Sequence, residues 1–195
     1  MMARSLGLFG LALGAGFATA GPAAALEEIK AGVLGHNICI SACSNANKED
    51  GPVIDVQLNF RSPGVLRAVG SPRPYVSASP NVSGDPSFVA AGLEWRWEFA
   101  EGWAFTPGLG YALHNGETQN PFPNGTPQST AFNNDNVLYG SEDLFRTSLG
   151  LTRDLGETWR VEGFVVHYSH GQILGNGRNQ GVDQAGVRLG YRFGA

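Results

Sequence analysis

Residues 88–99 permit few folds. Val89, Ala91, Leu93, Trp95, Trp97 and Phe99 share one parity, while Glu94, Arg96 and Glu98 share the other. A period of two is that of a β-strand with unlike faces. A soluble sandwich buries the apolar face of such a strand, whereas a membrane barrel turns it to lipid and keeps the charges inside. Segments of this kind recur near 27–36, 52–61, 72–79, 87–99, 103–113, 141–153, 159–169 and 184–193, and helical periodicity is nowhere sustained. The pattern predicts an all-β fold, an eight-stranded antiparallel transmembrane β-barrel.

The connections give a second signal. Tight links at Glu101-Gly102 and at 154–158 alternate with long polar stretches at 37–51, 80–86, 114–140 and 170–183. Short periplasmic turns and longer outer loops are the habit of bacterial barrels. The 114–140 stretch, rich in Asn, Gly, Pro and Thr, reads as a solvated surface loop. In the last strand Val187, Leu189, Tyr191 and Phe193 alternate with Arg188, Gly190 and Arg192, an aromatic ending suited to a strand that closes a barrel. Closure matters because an open edge in lipid leaves backbone groups unpaired. Trp95, Trp97, Trp103 and Trp159 fall near the expected periplasmic ends and read as an aromatic girdle. A lipocalin-like soluble barrel is the alternative.

Arg4 precedes an apolar run from Leu6 to Ala20 and a small-residue segment, Gly21 to Ala25. Residues 1–25 are therefore expected to be a secretory signal, and 26–195 a single barrel domain. Removing Arg4 leaves 12 basic against 17 acidic residues, a net charge of −5. No basic patch points to nucleic acid. Cys39 and Cys43 are the only cysteines; in an exported chain their spacing favours a small disulfide loop over a metal site. His36 and His114 share parity with lumen-facing positions, but two histidines fall short of a metal-ligand set.

With the chain starting in the periplasm, strand 159–169 runs outward. Arg160 and Glu162 have the parity of the lumen; Trp159, Val161, Val165, His167 and Ser169 have that of the lipid face. If Gly156 centres the preceding turn, Phe145 lies across from His167. If Asn176 centres the next loop, Asp183 lies across from Ser169. Residues two apart on a strand have Cα atoms ~6.6–6.8 Å apart on one face, within reach of an imidazole for a hydroxyl. Ser169 as nucleophile, His167 as general base and Asp183 as the orienting acid make a workable ester-hydrolysing set. Asn179, or the backbone N–H groups of His170 and Gly171, are candidate oxyanion donors. The competing reading is two polar residues at headgroup height with no chemistry.

The segment VVHYSHGQILGNGRNQGVDQAGVRLGYRF, 165–193, resembles the PagL family of lipid A 3-O-deacylases, small outer-membrane barrels that hydrolyse the ester-linked acyl chain at the 3 position of lipid A. It is similar to that family's His-x-Ser-Asn segment, followed by Asn-x-Gly-hydrophobic-acid and a closing aromatic strand. Weaker similarity covers GVLGH, GSPRPYVSASPNVSGD, GLGYALHNG and GSEDLFR. The resemblance implies the same roles for Ser169 and His167, with Asp183 where the best-known members carry glutamate. It also places Asn179 near the oxyanion and Phe145 at a conspicuous aromatic position. His170 stands where the family usually has Asn, and the loop before Asp183 is longer. Lipopolysaccharide is the implied substrate, with no cofactor or metal required; self-association into a homodimer is left open. Two other functions compete: a non-catalytic barrel serving adhesion or envelope integrity, and a lipase acting on phospholipid.

Overall fold

The computed structural model describes residues 25–175 and 177–194. The expected signal segment lies outside these residues, except for Ala25. Among these residues nine strand segments occur: β1 (Leu26–His36), β2 (Pro52–Phe60), β3 (Arg73–Ser79), β4 (Phe88–Glu94), β5 (Trp97–Ala100), β6 (Trp103–His114), β7 (Asp143–Leu155), β8 (Trp159–Ser169) and β9 (Val182–Arg192). All pair antiparallel in one sheet, ordered β4-β3-β2-β1-β9-β8-β7-β6-β5. Both β4 and β5 pair with β6, so they are two pieces of one stave, and the β4–β6 pairing closes an eight-stranded barrel. The single stave expected at 87–99 is broken at Trp95-Arg96, where the Trp95 indole N–H donates to the Val69 carbonyl.

The faces follow the parity of the sequence. Val33, Val89, Leu109, Leu149, Leu151, Val187 and Leu189 are exposed on the outer surface. Inside, Lys30, Arg73 and Arg188 pair with Glu28, Asp55, Glu94 and Glu162, and all are buried. An apolar exterior around a paired, charged interior is the inverse of a soluble barrel. No helix among the described residues is long and apolar enough to cross a membrane.

The apolar core sits at the long-loop end of the lumen. Phe88, Phe164, Tyr168 and Val182 pack there beneath Val137 and Tyr139, contributed by the 114–140 connection. Phe88 stacks on Tyr168 at 4.1 Å. That connection is not wholly irregular: it holds helix α1 (Pro127–Asp135), whose N-cap Thr126 accepts a hydrogen bond from the Ser129 N–H, with Pro127 in its first turn. His36 hydrogen-bonds Glu49 and Gln184, and His114 the Ser141 carbonyl, while Phe88 lies beside both rings. Both histidines are thus hydrogen-bonded rim residues.

Two registers differ from expectation. Phe145 lies across from Ser169, and Thr147 is opposite His167. Asp183 lies across from His167, not Ser169. The cause in the first case is the turn: Leu155 pairs with Trp159, so Gly156, Glu157 and Thr158 form a three-residue link centred on Glu157. Gly156 enters it with φ 76°, a left-handed conformation that glycine adopts without strain. In the second case the outer loop is centred on Gly175, one residue earlier than expected. Each slip is by two residues, so every side chain keeps its face.

Candidate active site

His167 and Ser169 end β8 on the outward face, where β7 and β9 flank them. The register brings Asp183 directly beside His167, and the imidazole Nδ1 lies 2.7 Å from Asp183 Oδ1. A carboxylate at Nδ1 fixes the tautomer, leaving Nε2 as the nitrogen free to take a proton. Gly181 makes room for that edge of the ring: a Cβ at 181 would stand 2.6 Å from His167 Cε1 and 3.1 Å from Nε2.

Asp183 has outward parity, yet it is only 2% exposed. Its cover comes from the connection between β1 and β2. Cys39 and Cys43 are disulfide-bonded, and the three residues between them line up on the carboxylate. The N–H groups of Ile40, Ser41 and Ala42 donate to Oδ2 at 3.2, 2.5 and 2.8 Å. The Ser41 hydroxyl donates to Oδ1 at 2.8 Å and lies 3.1 Å from His167 Nδ1. Ser41 has no counterpart in the sequence reading. Its contact spans 142 positions, and no local pattern announces it.

The remaining expected residues divide. Phe145 faces outward opposite Ser169, and Gly171 sits against it, so that a Cβ on Gly171 would be 3.2 Å from Phe145 Cδ2. His170 is engaged otherwise than expected. Its ring is fully buried, with Nε2 3.2 Å from the Arg178 carbonyl and Nδ1 accepting from the Gln172 N–H. Its own N–H donates to Asn179 Oδ1 at 3.2 Å, so it is engaged inside the loop rather than free for an oxyanion. With Oδ1 accepting there, the donors that Asn179 can offer a substrate are on Nδ2.

Next to this cluster runs a mostly apolar groove of about 230 Å³, lined by Ile40, Ser41, Thr147, Leu149, Val165 and His167 among others. A larger polar cleft of about 560 Å³ lies between the segment leading into β7 and the loop after β8, with Thr118, Asn120, Asn133, Glu142 and Arg178 in its wall.

The sequence matches the family model described as lipid A 3-O-deacylase, PagL, over residues 81–192. That is more than half the chain and includes His167, Ser169, Gly181 and Asp183. The chain belongs to the PagL family. Among solved structures it is similar to the outer membrane enzyme PagL, with 15% identity and a TM-score of 0.57, over 86% of this chain and 99% of the other. The outer membrane protein Ail of Yersinia pestis aligns at 9% identity and a TM-score of 0.44, over 87% of this chain and 100% of that one. No curated protein matches the sequence. The protein is accordingly an outer-membrane β-barrel of the PagL family. Cys39, Ser41 and Cys43 all precede the matched residues.

Proposed function

We propose that this barrel is a lipid A 3-O-deacylase, a serine ester hydrolase that removes the 3-O-linked acyl chain of lipopolysaccharide in the outer leaflet. The observation that carries the reading is the His167–Asp183 pair held at 2.7 Å on the lipid-facing side of the outer rim, with Ser169 next on the same face of the strand. Family membership supplies the substrate class.

In this mechanism Ser169 Oγ attacks the ester carbonyl as its proton passes to His167 Nε2, and Asp183 stabilises the imidazolium that results. The Asn179 amide, with the Gly171 N–H, faces the developing oxyanion. The bond from carbonyl carbon to the sugar oxygen breaks, and His167 returns its proton to that oxygen. Water then attacks the acyl-enzyme, again giving a proton to His167; the bond from the acyl carbon to Ser169 Oγ breaks, His167 returns the proton to that oxygen, and the fatty acid is released. The groove beside His167 suits an acyl chain, since Ile40, Leu149 and Val165 line it. The polar cleft, walled by Asn120, Glu142 and Arg178 among others, suits the sugar headgroup.

The test is incubation of the purified barrel with lipopolysaccharide, followed by mass spectrometry of the lipid A, with phospholipid in a parallel arm. Loss of one 3-hydroxyacyl group from lipid A, and its absence in Ser169→Ala, is expected. A fluorophosphonate should modify Ser169 and leave Ser41 unlabelled. Cleavage confined to phospholipid would overturn the substrate; full activity in Ser169→Ala would overturn the mechanism.

A further inference from the structure

An acid that points toward lipid needs donors from elsewhere, because desolvating a carboxylate without partners is costly. Asp183 has no lumen network to join. Its five polar partners are His167 Nδ1, the Ser41 hydroxyl and three consecutive backbone N–H groups. Successive N–H groups converging on one oxygen form an anion-binding nest, which requires a tight local backbone. Here the nest is residues 40–42, and the bond between Cys39 and Cys43 closes the chain on either side of it.

The loop is docked as well as closed. Asn37 turns the chain at φ 53°, and its side-chain amide ties back to the carbonyls of Asn45 and Glu49. The Ile38 N–H donates to the Asp183 carbonyl, and Asn45 Nδ2 to the Gly181 carbonyl, each at 3.0 Å. The loop thus grips β9 at the acid itself and again two residues earlier, across from the catalytic end of β8.

We propose that the disulfide-closed loop 39–43 is the positioning element of the active site, and that Ser41 is a positioning residue that acts through Asp183 and His167. The inference rests on the reading of His167 and Asp183 as base and orienting acid. Ser41 is not the nucleophile: its hydroxyl is engaged by Asp183 Oδ1 on the Nδ1 side of the ring, away from Nε2. The nest fixes the carboxylate so that Oδ1 addresses Nδ1, and the cross-link keeps three N–H groups aimed at one atom. Without it, the segment between β1 and β2 is held to Asp183 only by its own hydrogen bonds.

Because the two cysteines are exposed, they can be reduced and alkylated in the folded barrel, which avoids any effect on assembly. That protein, the double variant Cys39→Ser/Cys43→Ser, Ser41→Ala and Ser41→Thr are assayed on lipopolysaccharide beside the wild type. Folding is followed by the electrophoretic mobility of the unheated barrel. The expected result is a fall in kcat of about tenfold or more on opening the disulfide or in Ser41→Ala, the size expected for losing a hydrogen bond to a charged group. Mobility should stay unchanged. In Ser41→Ala the loss should fall mainly on kcat, whereas opening the disulfide also frees Ile40, which lines the groove, and should raise KM as well; Ser41→Thr should retain most of the rate. Wild-type kcat in the alkylated protein and in Ser41→Ala would overturn the inference and leave the deacylase reading intact. An inactive wild type would overturn that reading, and this inference with it.

Discussion

Replacing Gly181 by alanine tests the geometry of the base with a single methyl group. The added Cβ would meet His167 Cε1 at 2.6 Å, where ordinary contact begins near 3.4 Å, so the ring must retreat by about 0.8 Å. The Tyr168 carbonyl, 3.0 Å from the same point, limits how far the methyl can move the other way. The imidazole is held to Asp183 at 2.7 Å, and Asp183 is held by the nest, so the ring cannot shift without stretching that bond. A hydrogen bond between charged groups is worth about 1.5–3 kcal/mol, which corresponds to a factor of roughly 10–150 in rate. A misplacement near 1 Å has a similar effect, on the order of 10²-fold. Gly181→Ala should therefore lower kcat by roughly 10- to 100-fold. KM should change little, because Ile40, Leu149 and Val165 are untouched. The backbone at Gly181 is outside the left-handed region, so the barrel should fold as before. Gly163→Ala, where a Cβ meets nothing within 4 Å, is the control on the same face. Rates are read from lipid A mass spectra over time. Wild-type kcat in Gly181→Ala would refute the placement of His167 as base.

Asp183→Glu should lower kcat about tenfold or more, although glutamate is the acid of the best-known relatives, because the longer side chain carries its carboxylate out of the nest at residues 40–42; wild-type turnover would show that the nest is not needed. Leu149→Trp fills the groove beside His167, so it should raise KM and shift preference toward shorter acyl chains, and an unaltered chain-length profile on synthetic esters would remove the groove from the mechanism. Glu162→Ala takes from Lys30 and Arg188, both within the lumen, a carboxylate that each is bonded to, and leaves them only the carboxylates of Glu94 and Asp55. Breaking a buried ion network of this kind costs about 3–5 kcal/mol, seen as a lower temperature for loss of the folded barrel's electrophoretic mobility; an unchanged temperature would contradict that reading of the lumen.

Strand faces were legible because each strand carries its own alternation, and Val89 to Phe99 needs no partner to declare its two sides. Partners were less legible. A slip of two residues preserves every face, so parity alone could not tell Phe145-across-Ser169 from Phe145-across-His167. The deciding feature is the number of residues in the turn at Gly156. The break between β4 and β5 was hidden for a similar reason, since alternation continues through Trp95 and Trp97. Helix α1 had a readable start in Thr126-Pro127, but its polar residues show no apolar stripe to mark a helix. His170 and Asn179 were placed in the right loop, yet the bond between them is set by the loop's closure and not by local sequence. Ser41 was beyond reach, because only the folded barrel brings it to Asp183.

The acid shows how the alternation rule and the chemistry are reconciled. Charges in this barrel belong to the lumen, where Arg188 and Glu162 satisfy each other, and an outward Asp183 breaks that rule. Strands β8 and β9 provide it with one polar partner, His167. The others are all in the loop that follows β1, which reaches β8 and β9 because β1 pairs with β9. The position of the first strand beside the last, required to close the barrel, is what puts that loop over the site. Closure and positioning therefore share one cause. The aspartate fits because its short side chain ends within the nest, and the disulfide keeps the nest small enough to receive it.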